Sequence, residues 1–132
     1  MARYLIVDDS PTIRLRLASA LKNLSAARPD IMEAADGAEA AAAFAKAQPD
    51  VVFLDMMLGE KEGGLDVLRA MLGEHPDAVV VLLTALPGNH PDVTAAISLG
   101  AFAHIPKPIA TDDLKRVIQR IELESGRMGR IR

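Results

Sequence analysis

Three short runs of consecutive apolar residues predict strands that are buried on both faces. The runs are rich in β-branched residues and lack the period-2 alternation that marks a half-exposed strand. They are YLIV (4–7), VVFL (51–54) and VVVLL (79–83). Two weaker runs, at 31–34 and 101–105, are expected to be further strands.

Helical patterns lie between these runs. Ser10 and Pro11 are typical of a helix start, and Thr111 can cap the last helix. Apolar residues then recur every three or four positions, as on one face of a helix. The alternation predicts an α/β fold, a parallel sheet covered on both faces by helices. The expected apolar helix positions are Ile13, Leu17, Leu21 and Leu24, then Leu65, Leu68 and Leu72, then Val93, Ala96 and Ile97, and finally Leu114, Val117, Ile118 and Ile121, with a further Ala-rich helix over 38–47.

Composition narrows the class of protein. A chain of 132 residues, 50% of them hydrophobic, fits one globular domain and excludes general disorder. We expect this domain to span residues 1–124, followed by a basic tail or linker start at 125–132 that carries three arginines. The absence of cysteine excludes disulfides and thiolate metal sites, and it suits a cytoplasmic protein. We expect no membrane segment, and the net charge of −3 argues against nucleic acid as a partner of this chain.

Polar side chains follow the predicted strands where each strand ends. Asp8 and Asp9 follow the first, Asp55 the third, Thr84 the fourth and Lys107 the fifth. The carboxyl ends of parallel strands meet at one edge of a sheet, so these residues are expected to converge. Each alone is more often a turn residue, a cap or a solvated charge. Together they indicate a site.

Three carboxylates in one place repel one another. At about 4 Å each pair costs on the order of 4 kcal/mol at an effective dielectric constant of 20. Either a raised pKa or a hard divalent cation can relieve this repulsion. A cation, an ammonium group and a hydroxyl around one carboxylate suit phosphoryl transfer, in which an aspartate can itself be the nucleophile.

The chain resembles the receiver domains of two-component response regulators, of the single-domain, chemotaxis-regulator-like kind, from about residue 4 to about residue 123. The motifs that carry the resemblance are VDDSPTIR (7–14), VVFLDMML (51–58), LLTA (82–85) and GAFAHIPKP (100–108). It implies a flavodoxin-like, doubly wound fold with five parallel strands in the order 2-1-3-4-5 and five flanking helices.

The resemblance also implies roles for the residues at the sheet edge. Asp55 would be the phosphoacceptor in a reaction that depends on Mg²⁺. The other implied roles are those of Asp8, Asp9 and the backbone carbonyl of Met57 as Mg²⁺ ligands beside Asp55, of Thr84 and Lys107 as phosphoryl-binding groups, and of Pro108 as the residue after a cis peptide bond.

Several positions depart from the family pattern. His104 stands where the family often has a tyrosine or phenylalanine rotamer switch, and as a switch it would be smaller, polar and pH-sensitive. Met57 and Leu86 occupy positions that, in the family, tune the lifetime of the phosphorylated state. Both are apolar and cannot orient an attacking water, which predicts a long-lived state. Gly59 replaces a common proline in a loop that is one residue longer than usual, so that Gly64 matches the family glycine.

The predicted function is a phosphorylation-activated signalling switch. A sensor histidine kinase or a histidine phosphotransfer protein would supply the phosphoryl group. The output partner is unknown, and the signalling surface is expected on the fourth helix, fifth strand and fifth helix, including Val93, His104 and residues 114–121. A homodimer can form there on phosphorylation. Beyond its own phosphorylation and dephosphorylation, the protein is not expected to be an enzyme.

Four alternatives stay open at this point. The chain can be the receiver half of a longer DNA-binding regulator, or a receiver-like docking module that works without phosphorylation. A haloacid-dehalogenase type of phosphatase would want an aspartate at Met57. A flavin-binding electron carrier would want a phosphate-binding loop richer in serine and threonine than SPTIR.

Overall fold

The computed structural model describes residues 3–25, 29–58 and 62–128 of the chain. Its central sheet consists of five parallel strands. They are β1 (Arg3–Val7), β2 (Asp30–Ala34), β3 (Val51–Asp55), β4 (Val79–Thr84) and β5 (Ala103–Pro106). Their spatial order is β2-β1-β3-β4-β5, which confirms the predicted fold class. Apart from this sheet, the two-residue segments Met57–Leu58 and Glu62–Gly63 pair antiparallel.

Five helices cover the two faces of the sheet. They are α1 (Pro11–Leu24), α2 (Gly37–Ala47), α3 (Gly64–Glu74), α4 (Pro91–Leu99) and α5 (Thr111–Met128). Helices α1 and α5 pack on one face, and α2, α3 and α4 pack on the other. Among the described residues, no helix is long and apolar enough to cross a membrane.

Each central strand contributes side chains to both cores. Tyr4 and Ile6 of β1 lie under α1 and α5, whereas Leu5 and Val7 lie under α2 and α3. Because helices cover both faces, every position of β3 and β4 is buried, and so is every position of β1 after Arg3. This is the physical reason for the uninterrupted apolar runs in the sequence.

One of the expected helix details is confirmed by the structure, and two differ from it. The Ser10 cap is confirmed, since its side chain accepts a hydrogen bond from the backbone N of Ile13 at 3.3 Å. Thr111, however, is the first residue of α5 rather than its cap, and Ala110 accepts the first helical bond from Leu114 N at 3.1 Å. Ile97 is 44% exposed, because it lies about 100° around α4 from buried Ala96.

The C-terminal helix is longer than expected. Its backbone continues to Met128, so the expected domain boundary after residue 124 falls inside α5. No proline interrupts this stretch, and a single glycine weakens a helix without ending it. Residues 129–132, like Gly59 in the loop after β3, lie outside the described residues.

Candidate functional site

The end of β1 places two carboxylates differently. Asp8 N donates to Ala34 O at 3.1 Å, which extends the strand pairing by one residue. The Asp8 side chain is completely buried. Asp8 Oδ1 accepts a hydrogen bond from Ser10 N at 2.9 Å, in the turn that leads into α1. Asp9 is exposed. One carboxylate is therefore held rigidly by the backbone, and the other faces solvent.

The end of β3 brings a third carboxylate to the same place. Asp55 is the last residue of the strand and is 3% exposed, and its Oδ1 accepts a hydrogen bond from Met57 N at 3.0 Å. One carboxylate oxygen each from Asp8, Asp9 and Asp55 lie within 4.8 Å of one another. The structure thus brings together the three acidic residues that the sequence predicted at this edge.

Lys107 supplies the positive charge of the cluster. Its Nζ atom lies 2.8 Å from Asp8 Oδ2 and 3.2 Å from Asp55 Oδ2. The backbone holds it there, because Lys107 N donates to Thr84 O at 2.9 Å just after β5 ends. The peptide bond between Lys107 and Pro108 is cis.

Burial and neighbouring charges shift the pKa values of Asp55 and Lys107. Burial raises the pKa of the Asp55 carboxyl above its ordinary value, and the nearby charge of Asp8 acts in the same direction. The Met57 N–H group and Lys107 oppose this shift without cancelling it. Burial lowers the pKa of Lys107, but its hydrogen bonds and charge contacts with Asp8 and Asp55 outweigh burial, so that its pKa is raised. Lys107 therefore stays charged at neutral pH.

Thr84 completes the set at the end of β4. Its side chain is fully buried, and Oγ1 accepts a hydrogen bond from Leu86 N at 2.9 Å. The hydroxyl is thus engaged with its own loop rather than with Asp55. The geometry as a whole is an acidic pocket of hard oxygen ligands that can hold a divalent metal ion.

The fold and these residues identify the family. Residues 4–119 match the response regulator receiver domain. The chain belongs to this family. This receiver is 34% identical over 121 residues to protein CcdB of Bacillus subtilis (strain 168). The match covers 92% of this chain and 98% of that protein.

Two further comparisons place the receiver among longer and shorter proteins. It is 36% identical over 110 residues to the probable transcriptional regulatory protein TcrX of Mycobacterium tuberculosis, covering 83% of this chain but only 45% of that protein. The receiver domain of NtrX from Brucella abortus superimposes with a TM-score of 0.79 at 34% identity, covering 89% of this chain and 96% of that one.

His104 lies in the middle of β5 and is half-buried. Its Cα pairs with that of Leu82 in β4, and its ring approaches the loop after β4, with Cε1 3.8 Å from where a Cβ on Gly88 would lie. The Nε2 atom is buried and has no hydrogen-bond partner among the described residues. A polar ring therefore stands, with one nitrogen unsatisfied, beside the loop that begins at Thr84.

The expected signalling surface needs a correction. Val93 and the apolar residues of α5 from Leu114 to Ile121 are buried, because they lie on the inward faces of their helices. They cannot contact a partner directly. Among the side chains that the structure describes, the large apolar ones that these two helices expose are Ile97 and Leu99 of α4 and Leu123 of α5. The guanidinium of Arg120 on α5 lies 4.7 Å from the ring centroid of half-buried Phe102, just before β5.

Arg14 is a residue near the site that the sequence reasoning missed. Its Nη1 donates to Asp8 O at 2.6 Å, and its Nε lies 3.0 Å from Glu33 Oε1 on the edge strand β2. The side chain is only 16% exposed, so this link between α1 and the β1 turn is partly shielded from solvent. The signal was present in the sequence: Arg14 lies one helical step before Leu17, on the inward face of α1.

Gly64 is required by a close backbone approach. A Cβ at this position would lie 2.6 Å from Met56 Cα and 2.7 Å from Asp55 O, whereas one at Gly63 would meet nothing closer than 3.9 Å. Gly64 N also donates to Met56 O at 2.9 Å. This contact packs the start of α3 directly against the end of β3, and the tight fit at Gly64 but not at Gly63 is consistent with the expectation that Gly64 matches the family glycine.

Proposed function

We propose that this receiver is a phosphorylation-activated switch in which Asp55 accepts the phosphoryl group. The observation that carries the proposal is the Asp55 carboxylate itself. It is nearly buried at a strand end, 3.2 Å from a lysine ammonium and in a cluster of three carboxylates. No structural need of the fold explains the burial of so much charge at one edge.

The same residues fit Mg²⁺ as the cofactor. Asp8, Asp9, Asp55 and the backbone carbonyl of Met57 would hold the ion, since Mg²⁺ prefers oxygen ligands. When bound, the ion neutralises negative charge on the phosphoryl group. Lys107 contributes a second positive charge that the protein carries permanently.

The chemistry of the chain's own residues is then simple. A carboxylate oxygen of Asp55 forms a bond to phosphorus while the bond from phosphorus to a histidine nitrogen of the donor breaks, so that an acyl phosphate results. The donor is a sensor histidine kinase or a histidine phosphotransfer protein. No external substrate is turned over. The hydroxyl of Thr84 leaves its bond with Leu86 N and donates to a phosphoryl oxygen.

We place the switch in the loop that follows Thr84. Its movement changes the space beside the His104 ring, whose buried Nε2 gains a partner in the active arrangement. The altered surface is that of α4, β5 and α5, where Ile97, Leu99 and Leu123 are exposed to an output partner or a second copy of the chain. Met57 and Leu86 flank the site without a group that orients water, which supports slow loss of phosphate.

The test is a two-dimensional NMR amide spectrum in Mg²⁺, recorded before and after beryllofluoride, which stands in for a phosphoryl group on a carboxylate. We expect shifts at the strand-end residues and in α4 and β5 of the wild type, and none in Asp55→Asn. The matched control is Asp50→Asn, which removes a carboxylate just before β3 and should respond like the wild type. A wild type that does not respond at saturating Mg²⁺ would overturn the proposal.

A second candidate is the receiver half of a longer transcriptional regulator. It is favoured by the match to TcrX, of which this chain covers less than half. The discriminating observation is the native reading frame: a DNA-binding domain encoded after residue 132 would establish it. The chemistry proposed for Asp55 is the same in both cases.

A further inference from the structure

Met57 is an exposed methionine beside the proposed phosphoacceptor. Its side chain is 59% exposed, although a thioether gains nothing from solvent. The other methionines whose side chains the structure describes are more shielded: Met56 is 4% exposed, Met71 is buried and Met32 is half-buried. Among the methionines whose side chains are described, solvent therefore reaches the thioether of Met57 far more easily than the others.

The backbone ties this residue to Asp55. Met57 N donates to Asp55 Oδ1 at 3.0 Å, so the Met57 side chain emerges from the peptide unit that contacts the carboxylate. The backbone of Met57 is further fixed by its pairing with Gly63. A chemical change at the Met57 sulfur therefore alters an exposed side chain whose own backbone N–H contacts the Asp55 carboxylate.

We propose that Met57 is an oxidation site through which peroxides shorten the lifetime of phosphorylated Asp55. The inference rests on the proposed function, because it needs a phosphoryl group on Asp55. It deepens that function by coupling the duration of the signal to the redox state of the surroundings.

The oxidation balances with a peroxide as the co-reactant. The Met57 sulfur attacks one peroxide oxygen, the O–O bond breaks, an S–O bond forms, and the second oxygen leaves as water after proton transfer. The sulfur is oxidised by two electrons and the peroxide is reduced by two. The product is methionine sulfoxide, a polar and chiral group that enzymes can reduce again.

The two forms of the side chain differ in what they offer to water. The thioether is at best a weak hydrogen-bond acceptor, so it cannot hold an attacking water. The sulfoxide oxygen accepts a hydrogen bond from water and can hold it near the acyl phosphate. Hydrolysis then needs less ordering of the water in its transition state.

The first test measures where the protein is oxidised. After mild treatment with hydrogen peroxide, fragment-ion mass spectrometry should find sulfoxide at Met57 long before Met56. Met56 is the matched control, since it is the adjacent residue in the same peptide and differs in burial. Equal oxidation of the two residues would overturn the assignment of Met57 as the reactive site.

The second test measures the decay of Asp55 phosphate, formed with phosphoramidate and Mg²⁺, before and after peroxide treatment. We expect decay to be about fivefold faster after oxidation, which corresponds to ~1 kcal/mol, the value of one added hydrogen bond. In Met57→Leu the peroxide should no longer change the rate. Met57→Gln, which carries an amide oxygen without oxidation, should decay faster than Met57→Leu.

The outcomes separate this inference from the proposed function. If the wild type takes up no phosphate that depends on Asp55, the proposed function fails. If it does take up phosphate but decays at an unchanged or slower rate after oxidation of Met57, only the redox coupling fails. Restoration of the slow rate by methionine sulfoxide reductase would establish that the sulfoxide is the cause.

Discussion

Lys107 acts as the counter-ion of two buried carboxylates, Asp8 and Asp55. Its ammonium group contacts both Asp8 and Asp55, and these contacts outweigh the effect of burial on its own pKa. A divalent cation bound by the same carboxylates must share them with this ammonium group. The Lys107 ammonium group and a bound metal ion are therefore expected to compete for the same carboxylate oxygen atoms of Asp8 and Asp55.

Replacing this lysine should tighten metal binding. We expect Lys107→Gln to bind Mg²⁺ roughly fivefold or more tightly than the wild type, because even in bulk water two charges about 4 Å apart interact by ~1 kcal/mol. Titration calorimetry measures the affinity directly. The matched control is Lys115→Gln, the same change of charge at an exposed position of α5. Weaker binding by Lys107→Gln would show that the lysine supports the metal rather than competing with it.

The sequence predicted the residues of the site but not all their contacts. Asp8, Asp9, Asp55, Thr84 and Lys107 could be predicted because a parallel sheet brings strand ends together whatever lies between them in the chain. That Arg14 donates to the Asp8 carbonyl could not, because it depends on how α1 is rotated against the sheet. The unsatisfied Nε2 of His104 also needed coordinates.

At the scale of elements, the contact between α3 and β3 constrains one position severely. The Cβ of an alanine at position 64 would overlap Met56 Cα and Asp55 O, and these backbone atoms cannot move without displacing Asp55, the proposed phosphoacceptor. A glycine elsewhere in the same helix, Gly73, has no other atom within 4 Å of its added Cβ.

These two glycines should respond in opposite ways to the same substitution. We expect Gly64→Ala to lower the free energy of unfolding by roughly 2–4 kcal/mol through overpacking. Gly73→Ala should raise it by about 0.5–1 kcal/mol, because alanine is the better helix former. Urea denaturation of both variants gives the comparison. A Gly64→Ala variant as stable as the wild type would mean that the α3–β3 approach is looser than described.

The elements were predicted where local chemistry decides and missed where packing decides. Ser10 and Pro11 marked the start of α1, since capping depends on a few adjacent residues. The weaker strands were predicted with shifted bounds, and β5 begins at Ala103 rather than at residue 101. The end of α5 at Met128 went beyond the expected boundary, which the arginine-bearing composition of residues 125–132 had suggested.

At the scale of the whole molecule, the core encloses the chain's single tyrosine. Tyr4 of β1 is buried in the core under α1 and α5, with its ring centroid 6.0 Å from that of Phe53 in β3 and its hydroxyl 3.3 Å from Ser25 Oγ. Burial raises its pKa above the ordinary value of 10.0, against a smaller opposing effect of the Ser25 hydrogen bond. The folded state therefore holds this proton to a higher pH than the unfolded state does.

The stability of the protein should consequently fall at alkaline pH. The contribution of Tyr4 is fully present below pH 10.0 and is lost as the pH rises through the raised folded value. Because the chain has one tyrosine and no tryptophan, the tyrosinate absorbance reports this titration alone, and its midpoint should lie above 10.0. Tyr4→Phe should lose less stability than the wild type between about pH 9 and about pH 11, the range around the titration midpoint of a free tyrosine. Lys107, whose pKa is also raised, contributes equally to the alkaline loss of stability in the wild type and in Tyr4→Phe. Parallel losses of stability in the two proteins would therefore contradict the assignment to Tyr4.

The fold class followed from the sequence because the pattern of buried runs is a property of the whole sheet. Strands with both faces covered must be apolar throughout, and parallel connections place a helix after each strand. The order β2-β1-β3-β4-β5 came from the resemblance, since periodicity alone does not order strands. The exposed surface of α4 and α5 could not be predicted from the apolar stripes, which mark the side that faces inward.

The most direct test of Asp55 as the phosphoacceptor is to locate a covalent phosphoryl group on the protein. The protein is incubated with phosphoramidate and Mg²⁺, the acyl phosphate is trapped by borohydride reduction, and mass spectrometry then identifies the modified residue. We expect reduction at Asp55 alone, abolished by EDTA and absent from Asp55→Asn. Modification at another aspartate, or none at all in the wild type, would contradict the claim that Asp55 is the phosphoacceptor of this receiver.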